Sequence, residues 1–213
     1  ILQMVKMAKD IEKDFNEVVE DCLDSMAMIN RLEGSGKLDL QTCLDHGMVG
    51  VAARAAGLPR DSRFQYPYAA YDKMNFELIT EKLSDVHARW LVRVREVPQV
   101  FKILYQALEK MPSDSELQSA QGVQLVKSAG DSKLGQVGVL PKSACAVGIA
   151  EGWRGDIVYF VVTDSAGNIT RVQVRDPSLL NWHGFRYAGY GQIILDFPLI
   201  NKSFNLSYAG YDR

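Results

Sequence analysis

The residues of this chain whose types and spacing could do chemistry begin with two arginines that bracket one aspartate, namely Arg54, Asp61 and Arg63. A guanidinium group that leaves water needs a carboxylate or a backbone carbonyl as its partner. The spacing therefore indicates a local ion-pair network in a packed core or in a cavity wall. Gly34 and Gly36 form a Gly-x-Gly pair nearby. We interpret that pair as a turn, because no strand precedes it and no third glycine opens a helix.

The three cysteines do not form a metal site by their spacing. Cys22, Cys43 and Cys145 are far apart, with no Cys-x-x-Cys and no nearby pair of histidines. Neither a zinc site nor an iron-sulfur cluster can be assembled from such local ligands. We expect Cys22 on the apolar stripe of a helix and Cys145 on a strand, where a free cysteine packs as a small apolar residue. An odd number of unpaired thiols favours a reducing compartment, which predicts the cytoplasm.

Histidines and tyrosines offer further polar groups. The histidines His46, His87 and His183 are scattered, and a catalytic triad would need a nucleophile and an orienting acid that their spacing does not place. We interpret each as a surface or helix-capping residue. Seven tyrosines could line a quinone pocket, since a phenol offers an apolar face and one polar tip, although core packing is the simpler interpretation for most of them. They are Tyr66, Tyr68, Tyr71, Tyr187, Tyr190, Tyr208 and Tyr211.

Composition excludes several classes of function. The chain has 213 residues and a formal net charge of −2, so it lacks the basic footprint of a nucleic-acid-binding protein. No apolar run is long enough to cross a bilayer, and no charged-then-apolar signal segment opens the chain. The first residue is Ile1 rather than methionine. We therefore expect further sequence upstream of Ile1.

The elements that must position these residues are helical in the first half. Apolar residues at intervals of three to four predict an amphipathic helix from about Leu2 to Asn30 that buries one stripe. Asp39 is a good N-cap for a short helix that Gly47 would end. A second long helix is predicted from Glu81 to Met111, with a kink one turn before Pro98.

The second half has a different pattern. The segment 113–138 is polar and glycine-rich, which predicts a mobile connection. Three strands are predicted at 145–149, 156–163 and 169–174, the third with one face in water. The segment 179–201 is predicted to be helix and loop.

These elements predict an α+β fold, in which a long-helix bundle packs with a small, mostly antiparallel sheet. Residues 1–112 would form the helical portion. Residues 139–213 would form the sheet, the C-terminal helix and the tail, packed as one domain with the helices.

Four motifs follow one another in the order and with the comparable spacing of a known family. They are Gly47-Met-Val-Gly50-Val-Ala-Ala-Arg54-Ala-Ala-Gly57 with Asp61-Ser-Arg63 and Pro67-Tyr-Ala-Ala-Tyr71; Ser84-Asp85-Val-His-Ala-Arg89-Trp-Leu-Val-Arg93-Val-Arg-Glu96; Glu151-Gly-Trp-Arg154-Gly155-Asp-Ile; and Arg175-Asp-Pro177-Ser178-Leu-Leu-Asn181. On these motifs the chain resembles the large subunit of membrane-bound, energy-converting nickel-iron hydrogenases. It equally resembles the homologue of that subunit in the respiratory complex I NADH dehydrogenase, which is the quinone-site subunit of that enzyme. Members of this family are about twice as long, so the sequence corresponds to their C-terminal portion.

The tail distinguishes the two branches of that family. Hydrogenases carry a Cys-x-x-Cys there that contributes two of the four thiolates for nickel and iron, and those positions fall on Ser207 and Gly210. Neither residue can supply a thiolate. The tail otherwise resembles the hydrogenase form, so the resemblance implies a hydrogenase-like ancestor that lost its metal site. Val51, Ala56 and Trp153 also depart from the usual family residues.

The resemblance also implies where a remnant cavity would lie. In hydrogenase relatives the arginine of the Glu-x-Pro-Arg-Gly turn reaches the diatomic ligands of the metal site. Arg154 would then face the cavity with Ser207 and Gly210, and Asp61 would line it. The alternative is that Arg154 ties its turn to a carboxylate such as Asp61 or Asp212.

The pair Asp85 and Arg89, in the second of the four motifs, also has two interpretations. Asp85 and Arg89 stand four residues apart on the second long helix. Such a pair is a common device of a solvated helix surface. The resemblance places this helix near the family's site, so the alternative is structural support for a cavity.

The function implied is that of a subunit of a membrane-associated, complex I-like or hydrogenase-related oxidoreductase. It would shape the quinone or other electron-acceptor chamber beside an iron-sulfur subunit, at the cytoplasmic face of the membrane. This portion would bind no metal or cofactor itself and would be inactive alone, because quinone and the neighbour's iron-sulfur cluster belong to the full complex. The alternative is a degenerate scaffold that holds an iron-sulfur partner without chemistry of its own. An intact hydrogenase would need thiolates that the tail does not have.

Overall fold

A computed structural model describes residues 2–111 and 140–211 of the chain. The first of these ranges is helical, with α1 (Leu2–Asp24), α2 (Met26–Leu32), α3 (Leu40–Asp45), α4 (Gly50–Ala55), α5 (Ser62–Gln65) and α6 (Val86–Glu109). The second contains three strands and two helices, β1 (Cys145–Gly152), β2 (Gly155–Thr163), β3 (Ile169–Arg175), α7 (Pro177–Ala188) and α8 (Phe197–Phe204). The predicted α+β fold is confirmed. The predicted mobile connection at 113–138 lies outside the described residues.

The predicted first long helix is in fact two helices. α1 ends at Asp24, and Ser25 caps a new helix by accepting a hydrogen bond from the backbone N–H of Met28 at 3.3 Å. A serine hydroxyl at this position competes with the helical ladder for a backbone donor, which restarts the helix. The buried stripe predicted for α1 is also only partly correct, because Ile11 and Val18 are exposed and Ala8 is its one buried residue among those described.

α6 begins five residues later than predicted, because its N-cap is Asp85. The carboxylate of Asp85 accepts from the backbone N–H of Ala88 at 2.8 Å, which satisfies one of the free donors of the first turn. The helix continues through Pro98 to Glu109. The kink before Pro98 stays a prediction. The predicted cap of the short helix, Asp39, is confirmed by its bond to the N–H of Thr42 at 2.7 Å.

The three strands form one antiparallel sheet in the order β1-β2-β3. The β1–β2 register runs from Cys145 opposite Val162 to Gly152 opposite Gly155, which leaves a two-residue turn of Trp153 and Arg154. The strands are confirmed, with β1 three residues longer than predicted.

Two predictions about burial in the sheet are wrong. Cys145 is exposed rather than packed as an apolar residue. The prediction that one face of β3 lies in water and the other does not is also wrong, since Val172 is exposed like its polar neighbours Arg171 and Gln173. Along most of β3 neither face is covered by a described residue, so the alternation of apolar and polar residues does not mark a buried side there.

The core lies where the middle helices meet the C-terminal helices. Its buried residues come from α2 to α4, the start of α6, α7 and α8. They include Leu32, Leu38, Met48, Ala53, Ile200 and Phe204. The predicted helix and loop after β3 is confirmed as α7 and α8, joined by a loop and a short 3-10 helix at Ile194–Asp196. Among the helices described, none is long and apolar enough to span a bilayer.

Candidate functional site

Three of the motif segments meet at one point, which we call the motif crossing: the start of α4 at Gly50, the β1–β2 turn at Arg154 and Gly155, and α7 at Asn181. Gly50 has φ +63°, and a Cβ on it would overlap the carbonyl oxygen of Arg154. Only glycine fits this close approach of two backbones. The family motifs are therefore far apart in sequence and adjacent in space.

Asn181 joins the segments of the motif crossing through its side-chain amide. Its Oδ1 accepts from the backbone N–H of Val49 at 3.1 Å, and its Nδ2 donates to the carbonyls of Val49 and Arg154, both at 3.1 Å. The residue is fully buried. Three hydrogen bonds from one buried amide leave little freedom for the turn that carries Arg154.

The tail packs on the N-terminal end of α7. The backbone N–H of Ser207 donates to Oγ of Ser178 at 3.0 Å, and the N–H of Gly210 donates to Oγ of Ser207 at 3.1 Å. The indole Nε1 of Trp182 donates to the carbonyl of Ser207 at 3.2 Å. The hydroxyl of Ser207 is therefore already engaged within the tail.

The position of Gly210 has no room for a side chain. A Cβ there would lie 2.5 Å from Cγ of Asp176, whose carboxylate caps α7 through the N–H of Ser178 at 2.7 Å. A cysteine at 210 would displace that cap. The nickel-iron group of the hydrogenase branch therefore does not fit this tail, since Ser207 offers a hydrogen-bonded hydroxyl and Gly210 offers no side chain. Within residues 2–111 and 140–211, no three His, Cys, Asp or Glu side chains form a group that could hold a metal ion.

Arg154 reaches the tail rather than a carboxylate. Its Nε donates to the carbonyl of Asn205, two residues before Ser207. Within the described part of the chain it forms no ion pair, so the suggested tie to Asp61 is wrong. The other suggested partner, Asp212, lies outside the described residues. The structure thus brings Arg154 to the tail of Ser207 and Gly210, and it places Asp61 in a separate group.

That separate group is a buried set of five charged side chains, which we call the charge cluster: Arg54, Asp61, Arg63, Glu96 and Glu151. Nε of Arg54 donates to Glu96 at 2.7 Å, and its Nη1 donates to Glu151 at 3.0 Å. Asp61 is held by Arg63, with Nε to Oδ1 at 3.0 Å and Nη2 to Oδ2 at 2.6 Å. The ion-pair network predicted from the spacing is confirmed, and it includes two glutamates that sequence reasoning did not assign to it.

Glu151 is the most tightly enclosed glutamate of the charge cluster. Its Oε2 accepts from the backbone N–H of Ser62 at 2.9 Å, and its own N–H donates to the hydroxyl of Tyr68 at 2.9 Å. Burial raises the pKa of the Glu151 carboxyl, although the Ser62 N–H and the Arg54 guanidinium oppose that change. The only sequence signal for Glu151 and Glu96 was their place inside quoted motifs.

A cleft of about 550 Å³ opens between the motif crossing and the charge cluster. Its walls include Gly50, Arg60, Asp61, Asp156 and Arg175. Arg175 pairs with Asp156 through Nη2, while its buried Nε has no hydrogen-bond partner among the described residues. The cleft can therefore receive a polar molecule. Of the four residues predicted to line a remnant cavity, Asp61 lies in this wall, whereas Arg154, Ser207 and Gly210 do not.

Arg89 joins the turn before α3, the residues before α6 and helix α8. It is fully buried and donates to the carbonyls of Ser84 and Gly36 and to Oγ of Ser203, at 2.8, 2.9 and 2.9 Å. The interpretation of Asp85 and Arg89 as a solvated surface pair is wrong, because Asp85 is buried as the cap of α6 and both residues lie inside the fold. Gly36, with φ +58°, confirms the predicted turn.

The interpretation of the histidines is confirmed for two of the three and that of the tyrosines is mostly wrong. His46 is the C-cap of α3 and His183 is exposed, with their ring centroids 5.7 Å apart, whereas the His87 side chain is only 12% exposed. Five of the seven tyrosines are exposed rather than packed in the core, namely Tyr66, Tyr187, Tyr190, Tyr208 and Tyr211. Tyr66 lies in the wall of the cleft and Tyr208 in the wall of a separate pocket beside α8, so the geometry assigns the five no common site.

Comparison with known proteins places these features in a family. The model of a family described as the 49 kDa subunit of respiratory-chain NADH dehydrogenase matches residues 1–213. The carbon monoxide-induced hydrogenase of Rhodospirillum rubrum is 30% identical over 188 residues, 88% of this chain and 47% of the relative. A D-type subunit of the NADH-quinone oxidoreductase of Solibacter usitatus is 32% identical over 222 residues, 99% of this chain and 54% of the relative.

A solved structure gives the same result. A chain of the membrane-bound sulfane sulfur reductase, an archaeal respiratory membrane complex, superposes with a TM-score of 0.84 at 27% identity, covering 100% of this chain and 55% of the other. The chain thus spans about half the length of these relatives. The resemblance drawn from the motifs is confirmed.

Proposed function

The chain belongs to the family of the 49 kDa subunit of respiratory-chain NADH dehydrogenase, and we propose that it forms one wall of the electron-acceptor chamber of a membrane-bound respiratory complex. The observation that carries this proposal is the convergence of Gly50, Arg154 and Asn181 beside an open cleft. Segments that are distant in sequence are held together there by buried hydrogen bonds. Such rigid placement is what a site needs when it must present a charged side chain at a fixed position.

Arg154 is the residue we propose to act on the acceptor. Its hydrogen bond goes to a neutral carbonyl, so no described carboxylate neutralises its charge. A cation held in this way stabilises negative charge that develops when an acceptor takes up electrons. The electrons would come from the iron-sulfur cluster of a neighbouring subunit, and the chain would lie at the cytoplasmic face of the membrane within that complex.

Two acceptors are consistent with this arrangement. The relatives named as subunits of NADH-quinone oxidoreductases favour a quinone. The structural neighbour named as a sulfane sulfur reductase favours a sulfane sulfur compound, and a tail without room for the second thiolate fits both of these better than hydrogen chemistry. We place quinone first, because several of the relatives carry the quinone in their names.

The alternative function is a scaffold that holds an iron-sulfur partner and does no chemistry. The charge cluster favours it, since its buried ion pairs fix structure without exposing a free group. The two functions differ in what the loss of Arg154 would do. If the chain is a scaffold, the loss of Arg154 should leave both its partners and the activity of the complex unchanged. If the chain lines the acceptor chamber, the same loss should slow reduction of the acceptor.

The test is to purify the complete complex from its host through a tag on this chain and to supply an artificial one-electron donor. We expect reduction of a short-chain quinone, and an Arg154→Met complex should reduce it at least tenfold more slowly while keeping its iron content. Arg171→Met, an exposed arginine on β3, is the matched control and should leave the rate unchanged. Reduction of polysulfide instead of quinone would select the second acceptor. An Arg154→Met complex with the full rate, or a complex that reduces neither compound, would support the scaffold.

A further inference from the structure

The charge cluster contains more acids than bases. It has three carboxylates, on Asp61, Glu96 and Glu151, and two guanidinium groups, on Arg54 and Arg63. Their side chains are between 1% and 19% exposed. If every group were ionised, one negative charge would remain without a partner of its own in a poorly solvated environment, which is unfavourable.

The distances show which carboxylate lacks its own partner. Arg63 binds Asp61 through two nitrogens, so that pair is complete. Arg54 is shared, with Glu96 at 2.7 Å, Glu151 at 3.0 Å and Asp61 at 3.8 Å. Glu96 and Glu151 therefore compete for one guanidinium.

Charge and exposure favour Glu96 in that competition. Arg93, one turn before Glu96 on α6, adds its positive charge to the field at Glu96. Glu96 is also the more exposed of the two glutamates, so water solvates its charge better than the charge of Glu151. Glu151 is therefore the carboxylate with the weaker support for its charge.

Among the described residues, Arg54 is the one cation within ion-pair distance of Glu151, and the charge of Arg63 reaches it only through space. Arg60, from the loop before α5, offers Arg54 its carbonyl and turns its guanidinium toward the carbonyl of Met48. The loop after α5 presents Tyr68 to Glu151 through an uncharged hydroxyl.

We propose that Glu151 is an exchangeable proton-binding site, at which one carboxylate oxygen forms an O–H bond with a proton taken from water and returns it to water in the cleft. Protonation removes the surplus negative charge. The Arg54 guanidinium then pairs with one charged glutamate, Glu96. The path to the cleft is short, because Ser62 binds Glu151 directly and both Asp61 and Ser62 lie in the cleft wall. The site would let the protein hold a proton beside whatever molecule occupies the cleft.

The pKa of Glu151 changes in the direction this site requires. Burial is the largest cause, and the charge of Asp61 also raises the pKa. Because the pKa of Glu151 is higher in the folded chain than in the unfolded chain, the folded chain binds more protons than the unfolded chain at pH values between the two pKa values. The contribution of Glu151 to stability is therefore greatest below the unfolded pKa and is lost as the pH rises through the folded pKa.

Proton binding at Glu151 goes beyond the proposed function and does not depend on it. Reduction of a quinone consumes protons, so a proton held beside the cleft would serve that reaction. Proton binding itself is a property of the chain and can be measured when no acceptor or partner is present. A failed acceptor assay would thus leave this proposal intact, and a failed titration would leave the proposed function intact.

The experiment is a pH titration of the full chain labelled with 13C at the glutamate carboxyls, followed by NMR. We expect one signal to titrate at higher pH than the other glutamates and to be absent in Glu151→Gln. In Glu96→Gln that signal should remain but titrate at lower pH than in the wild type, because Glu151 then has Arg54 to itself. The proposal is overturned if the late signal persists in Glu151→Gln, or if no glutamate titrates later than the rest. If Glu151→Gln does not fold, the wild-type carboxyl signal can be assigned instead through the γ protons of the same residue, which should show a nuclear Overhauser contact to the Ser62 N–H. A late signal whose γ protons lack that contact also overturns the proposal.

Discussion

The charge cluster and the motif crossing each present an arginine from a family motif, and the two arginines are held in opposite ways. Arg54 is 2% exposed and binds two carboxylates directly. Arg154 is half-buried and donates to one backbone carbonyl. An arginine whose charge is matched inside the protein stabilises the fold, and one whose charge is unmatched can act on something outside it. The comparison predicts that substituting Arg54 affects stability and that substituting Arg154 affects chemistry.

The largest expected effect comes from Arg54→Met. Removal of the guanidinium leaves Glu96 and Glu151 buried without their cation, and breaking a buried pair from one side costs about 3–5 kcal/mol. Urea denaturation of the full chain, followed by circular dichroism, measures the loss. Arg171→Met on the exposed face of β3 is the control and should stay within about 0.5 kcal/mol of the wild type.

A second variant tests whether charge is the cause. In the double variant Arg54→Met with Glu151→Gln, one of the stranded carboxylates is removed, so the loss should be smaller than the sum of the two single losses by about 1 kcal/mol or more. Additive losses would mean that Arg54 and Glu151 do not interact energetically. The view that Arg54 stabilises the fold through its buried ion pairs would then be wrong.

The next largest loss of stability is expected at Asn181, whose side-chain amide joins the segments of the motif crossing. Asn181→Ala leaves the N–H and carbonyl of Val49 and the carbonyl of Arg154 without partners inside the fold. Unsatisfied buried groups cost about 1–3 kcal/mol each before relaxation, so we expect a loss of about 3 kcal/mol in the same denaturation measurement. The matched control is Asn201→Ala, whose exposed amide makes one weak bond to Tyr208 and should change stability by less than about 0.5 kcal/mol.

Gly210→Ala tests the reason that the tail cannot carry a second cysteine. The added Cβ would meet the carboxylate of Asp176, and overpacking of this kind costs about 1–3 kcal/mol. Gly148→Ala is the control, because a Cβ at Gly148 meets nothing within 4 Å. The melting temperature should fall for the first variant and stay near the wild-type value for the second. Equal melting temperatures would mean that the tail has room for a ligand at 210.

The order of the motifs predicted the family, and the patterns of apolar residues predicted most of the elements. The helix cap at Asp39 and the three strands follow from local chemistry, which sequence displays directly. The cap at Asp85 was not predicted, because the apolar pattern continued upstream of it. The bracketing of Asp61 by two arginines also predicted the ion-pair network correctly, because its first members are close in sequence.

Other features depend on contacts between distant segments, which a single sequence does not display. Glu96 and Glu151 join Arg54 across 42 and 97 residues, so their roles became visible only in the fold. Arg89 was misplaced for the same reason, since its partners Gly36 and Ser203 stand 53 and 114 residues away. The break at Ser25 was missed because a favourable apolar pattern on both sides hid a capping residue between them.

The smallest effect on stability is expected from Arg154→Met, and this prediction completes the comparison with Arg54. The variant loses one hydrogen bond to the carbonyl of Asn205 in a half-buried position, which contributes about 1 kcal/mol. The same substitution should therefore be several kcal/mol less harmful at 154 than at 54, as measured by parallel urea denaturation. A loss at 154 as large as that at 54 would show that Arg154 is itself a structural tie, and its charge could no longer be assigned to an acceptor.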